Sequence, residues 1–114
     1  MSRITKDQRV WIRERDNFVC QMCGRKVKYG EVHHITPYSI ATKVLEWSIP
    51  MANSPTNLIL LCARPCHLML HSKPTMSRYW QNLLGEKALH NTLRYVKELG
   101  RGQNGNDDEL LCSL

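Results

Sequence analysis

Two short-spaced cysteine pairs, Cys20-x2-Cys23 and Cys62-x3-Cys66, constrain this chain more than any other feature. Thiolates three or four residues apart on a tight turn can grip one face of a tetrahedral ion, and two such knuckles complete a four-sulfur zinc site. The other reading is two pairs of buried free thiols. The chain is expected in the cytosol, where thiols stay reduced, so disulfides are disfavoured. Met1 to Lys6 lack the apolar core of a signal peptide, and no apolar run is long enough to span a bilayer. The fifth cysteine, Cys112, lies without a companion and is read as a free thiol.

Four of the five histidines are also grouped, as His33-His34 and His67-x3-His71. On a helix, positions four apart share a face, so His67 and His71 can bind one ion. On a strand, adjacent residues point to opposite sides, so His33 and His34 can take different tasks. His90 has no companion and is read as structural. Cys66 adjoins His67, and Cys62 ends the apolar run that Asn57 opens. A zinc clamp on the cysteines would therefore also place the histidines.

The pattern of apolar and turn-forming residues gives the framework. Thr5-x2-Gln8 reads as a capping box opening a helix whose narrow buried face is Ile4, Val10 and Trp11, and which ends near Asp16-Asn17. Phe18 to Gly24 reads as a strand entering the first knuckle, Lys28 to Gly30 as a turn, and Glu31 to Ile35 as a short strand. The stretch from Pro37 to Thr56 reads as a long loop rich in turn formers, Pro50, Asn53, Ser54 and Pro55 among them, with Trp47 packing it to the core. Asn57 to Cys62 has strand length, Ala63 to Pro65 is a turn, and Cys66 to His71 opens a helix. Thr75 to Leu99 reads as helical with a break near Gly85. A single domain over residues 1–100 and a disordered tail over 101–114 follow.

The net charge of +6 is concentrated at the front. Eight basic residues precede Gly30 against three acidic ones, a balance of +5. Such a stretch is either a solvated surface or a site for a polyanion. Arg9 and Arg13, four apart on the first helix, and Lys43 in the long loop are the candidate phosphate contacts. The later helices carry no strong basic face, which argues for low or partner-supplied sequence preference.

In order and spacing, Val19-Cys-Gln-Met-Cys-Gly24, Glu31-Val-His-His-Ile-Thr-Pro37, Pro55-Thr-Asn-Leu-Ile-Leu-Leu-Cys62 and Cys66-His-Leu-Met-Leu-His71 resemble the HNH endonucleases, the ββα-metal nucleases. The small size and C-terminal helices look like phage or mobile-element members. The resemblance implies an α+β fold: a β-hairpin and metal-binding helix, stapled by zinc and flanked by N- and C-terminal helices. It implies His34 as general base, His33, His67 and His71 as ligands of a catalytic ion, Asn57 as the residue fixing the loop that orients the base, and Glu31 as an acidic support. It also implies DNA as partner, held mainly through its backbone, with no membrane role, and admits phage packaging proteins as further partners.

The chemistry is coherent on its own terms. A group that titrates near neutrality suits removal of a proton from water, and one divalent ion can stabilise both the phosphate and the departing oxygen. A nitrogen-rich site binds zinc, nickel, cobalt or manganese more tightly than magnesium. Two other classes are a zinc-stapled DNA-binding module without catalysis and a phage assembly module; neither accounts for four grouped histidines.

Overall fold

The computed structural model describes residues 4–72 and 74–102, excluding the side chains at 71, 72, 74–77, 101 and 102. The tail expected over 101–114, with Cys112, thus falls almost wholly outside the described residues.

Helix α1 spans Lys6–Arg15 and begins as its sequence requires. Gln8 N donates to Thr5 Oγ1 at 3.1 Å and Thr5 N donates to Gln8 Oε1 at 2.7 Å, the reciprocal capping box. Its buried face differs from the expected one. Val10 is exposed and Trp11 half-buried, whereas Ile12 and Arg15 are the fully covered positions. Treating Arg15 as a surface charge rotates the apolar stripe; with Arg15 inside, the stripe runs through Ile12 and Arg15, three residues apart on one face.

Strands β1 (Glu31–His34) and β2 (Leu58–Leu61) pair antiparallel, with Glu31 opposite Leu61 and His34 opposite Leu58. Every residue of β2 is buried because both of its faces are covered. Leu58 and Leu60 pack with Ile4 and Ile12, while Ile59 and Leu61 pack with Cys20, Ile35, Leu70, Leu84 and Ala88. This period-two division explains an unbroken apolar run where a half-exposed strand would alternate. Gly30, at φ +66°, leads into β1, and a Cβ there would lie 2.8 Å from Leu61 O. Only glycine meets both demands.

The segment between the strands is more regular than a loop. It holds a π-type turn at Ile40–Val44, helix α2 (Ile49–Ala52) and a 3-10 turn at Pro55–Asn57. Ser48 Oγ caps α2 by accepting from Met51 N at 3.3 Å. Trp47 is half-buried, and its backbone N–H donates to Ala41 O at 2.8 Å, a contact within the segment itself. After β2 the chain makes a π-type turn at Ala63–His67, then helices α3 (Leu68–Ser72) and α4 (Pro74–Gly102).

Two further expectations are corrected. Phe18 to Gly24 forms no strand: only Val19 bridges, to Lys26, because Asn17 and Phe18 both take φ +56° and reverse the chain. Helix α4 runs through Gly85 unbroken. The glycine's propensity cost of about 1 kcal/mol is outweighed by burial of Leu84 and Ala88 against the core.

The helices and hairpin meet at a buried charged pair, Arg15 and Asp16. Arg15 Nε and Nη2 donate to the two Asp16 carboxylate oxygens at 2.8 and 2.9 Å. Nη2 also donates to Leu58 O at 2.7 Å, and Nη1 to Pro55 O at 2.6 Å and Thr92 Oγ1 at 3.0 Å. All five guanidinium N–H groups are thereby used. Asp16 in turn accepts from Leu60 N and Asn91 Nδ2, each at 3.0 Å. Arg94 on α4 donates to Arg15 O. One ion pair thus joins α1, the turn before Asn57, β2 and α4.

Candidate functional site

The four cysteines converge although they come from distant loops. The first knuckle is a tight turn in which Gly24 N donates to Cys20 O at 2.9 Å and Cys20 N to Arg25 O at 2.8 Å, with Gly24 at φ +77°. The second follows β2, where His67 N donates to Cys62 O at 3.0 Å. Its extra residue is absorbed by Arg64, which is extended at φ −139° and ψ 135°. The thiol sulfurs of Cys20, Cys23, Cys62 and Cys66 lie within 4.8 Å of one another, and those of Cys23 and Cys62 are 3.9 Å apart. Zinc–sulfur bonds of about 2.3 Å in a tetrahedron set sulfurs about 3.8 Å apart, so the donor set fits zinc with little adjustment.

The electrostatics of bare thiols fit as well. Burial pushes the Cys66 and Cys62 thiols up. Burial also opposes the Cys20 thiolate, but the backbone groups of Cys23, Cys62 and Met22 outweigh it and bring Cys20 down to about 7. Crowded thiolates repel one another, and a cation at their centre removes that penalty.

Beside this cluster, β1 and the turn after Cys66 form a cleft of about 210 Å³ lined by Val32, His33, His34, Pro37, Tyr38 and His67. His33 is buried and its ring stands edge-on to that of His67, centroids 5.3 Å apart. With metal–nitrogen bonds of about 2.0–2.1 Å, both imidazoles can reach one ion. The side chain of His71 lies outside the described residues. Glu31 is exposed at the start of β1 and shares the strand face of His33.

His34 points differently from His33. Its ring packs edge-on against Tyr38 at 5.8 Å, and its Nε2 lies 2.7 Å from Asn53 Oδ1. Asn57 does not touch that ring. Its buried amide bridges two backbone segments: Oδ1 accepts from Thr36 N at 2.8 Å, and Nδ2 donates to Thr36 O at 3.1 Å and Ala52 O at 2.8 Å. Ile35 N donates to Asn57 O at 2.9 Å. The chain just after His34 is therefore pinned to the chain just before Asn53.

The basic candidates are scattered. Arg9 and Lys43 are exposed, on α1 and on the π-type turn. Arg13 donates from Nε to Tyr29 O at 2.7 Å and so buttresses the turn before β1. Sequence reasoning missed Tyr38 and Asn53. Asn53 reads in sequence as a turn former, and no local pattern marks it as a partner of a histidine nineteen positions earlier.

A family model described as HNH endonuclease matches residues 20–73. No curated protein and no solved structure matches the chain. The match runs from the first knuckle through the hairpin to the end of α3, and it takes in the sulfur cluster and the histidine cleft alike. Residues 20–73 are thus similar to the HNH endonuclease family, and the two-stranded hairpin with its helices and cysteine cluster is consistent with a ββα-metal fold.

Proposed function

We propose that this chain is a metal-dependent DNA endonuclease in which His34 is the general base. The observation that carries the reading is the arrangement in one cleft of His34, turned away from His33, beside the His33–His67 pair. His34 takes a proton from water as the water oxygen bonds to phosphorus. The bond from phosphorus to the 3′ oxygen breaks, and that oxygen leaves with its electron pair and is protonated from solvent. A divalent ion (manganese, magnesium, nickel, cobalt or zinc) held by His33 and His67, with His71 the further ligand on the next helical turn, would stabilise charge on the phosphate and the departing oxygen. Asn57 holds the backbone on which His34 stands. The four cysteines hold structural zinc, and Glu31 supports the metal pair. Arg9, Arg13 and Lys43 contact the DNA backbone, with sequence preference low or lent by a partner protein. Residues 1–100 act as one unit, and the remainder is dispensable.

Plasmid cleavage tests this directly. Purified protein stripped of loosely held metal is supplied with each divalent ion in turn, beside His34→Ala. The expected result is metal-dependent nicking or linearisation that falls by about 10²–10⁴-fold in the variant, with DNA affinity retained. Failure of folded, zinc-loaded protein to cut with any of these ions would instead leave a zinc-stapled binding or assembly module.

A further inference from the structure

A general base works only if the correct ring nitrogen bears the lone pair and faces the water. In this chain one side chain is placed to decide that. Asn53 is 5% exposed, and its Oδ1 is 2.7 Å from His34 Nε2. A carbonyl oxygen only accepts, so this contact puts the ring proton on Nε2 and the lone pair on Nδ1. We propose that Asn53 is the positioning residue of the site, holding His34 in the Nε2–H tautomer with Nδ1 turned to the water. The assignment rests on the reading of His34 as base.

The surroundings show how Asn53 is itself held. It closes helix α2, and its N–H donates to Ile49 O at 3.0 Å. The carbonyl just before it, Ala52 O, accepts from Asn57 Nδ2 at 2.8 Å. Asn57 also clasps Thr36, two residues beyond His34, through both of its amide groups. Asn57 therefore fixes the distance between the two backbone segments, and Asn53 converts that distance into an orientation of the ring. Behind Asn53 lies an apolar cleft lined by Trp11, Ile12, Pro55 and Leu58. The buried Asn53 amide lines that cleft and meets the imidazole with its oxygen. The inserted stretch between the strands thus has a task beyond packing: it delivers Asn53 to the ring.

The test uses the whole zinc-loaded chain and four proteins: wild type, His34→Ala, Asn53→Leu and Asn53→Asp. Leucine keeps the size and suits the apolar cleft but cannot accept; aspartate keeps the acceptor. The first readout, independent of catalysis, is the tautomer of His34 by nitrogen-15 NMR, recorded where the ring is neutral. Wild type and Asn53→Asp are expected to show Nε2–H as the dominant form, and Asn53→Leu a mixture. The second readout is cleavage at saturating DNA, where kcat should fall about ten- to a hundredfold in Asn53→Leu, with DNA affinity unchanged and recovery in Asn53→Asp. An Nδ1–H tautomer in wild type would overturn the proposal, because the amide would then present its N–H group to the ring. So would an unchanged tautomer and kcat in Asn53→Leu. If His34→Ala still cuts, the base assignment fails instead, and the NMR readout continues to judge Asn53 separately.

Discussion

Arg15 shows how much a single residue can carry here. Its guanidinium is fully covered and all five of its N–H groups are used, two of them on Asp16. Desolvating such a pair is costly, and the pair is tolerated because every donor has an acceptor. Arg15→Met should destabilise the domain by about 3–5 kcal/mol, because it leaves the Asp16 carboxylate buried without its cation. Urea unfolding would measure this. The double variant Arg15→Met with Asp16→Leu should recover part of the loss, and a single variant as stable as wild type would show that the pair is idle. Asn57 works by the same rule on a smaller scale, three hydrogen bonds from one amide to backbone on either side of the site.

At the level of elements, the hairpin depends on the approach at Gly30. Alanine there would take an unfavourable φ of +66° and drive its Cβ to 2.8 Å from Leu61 O and 2.9 Å from Leu60 Cδ1. Gly30→Ala should cost at least about 1–3 kcal/mol of stability, read as a lowered Tm. The contact between α1 and α4 offers a pH-dependent test. Tyr95 stacks edge-on with Trp11 at 5.0 Å, and its hydroxyl donates to Glu14 Oε2 at 3.0 Å. Burial and then the Glu14 carboxylate raise the Tyr95 phenol above its usual value of 10.0. A raised value in the folded state favours the protonated form, so the stabilisation is complete below the unfolded value and is lost as pH rises through the folded one. The Tm gap between wild type and Tyr95→Phe should therefore be constant below pH 10 and narrow above it. A gap that widens above pH 10 would contradict that sign.

For the whole molecule the decisive link is the sulfur cluster. It joins the turn after α1 to the end of β2, and β2 is the strand that both hydrophobic clusters share. Small domains bury a limited fraction of their surface, so a metal staple adds a large share of their stability. Cys66→Ser, or exhaustive chelation, should abolish cooperative melting or lower Tm steeply. A melting curve superimposable on wild type would show that the cysteines hold no structural ion. The described residues contain no helix long and apolar enough to cross a membrane.

The chain announces those features whose causes are local. The capping box, the knuckle turns, the paired histidines and the apolar run of β2 each follow from spacings of a few residues, and periodicity or turn chemistry reveals them. So the cysteine cluster and the hairpin strands are legible in one dimension, and the ββα-metal arrangement is legible through the family resemblance that the motifs carry. Arg15, Asp16 and Asn53 are not. Arg15 meets Thr92 across 77 positions and Pro55 across 40, and Asn53 meets His34 across 19. Polar residues of these kinds are usually solvated, and only desolvation by packing turns them into interior partners. The helix through Gly85 belongs with them, since burial of its neighbours, a property of the assembled core, outweighs what glycine prefers alone.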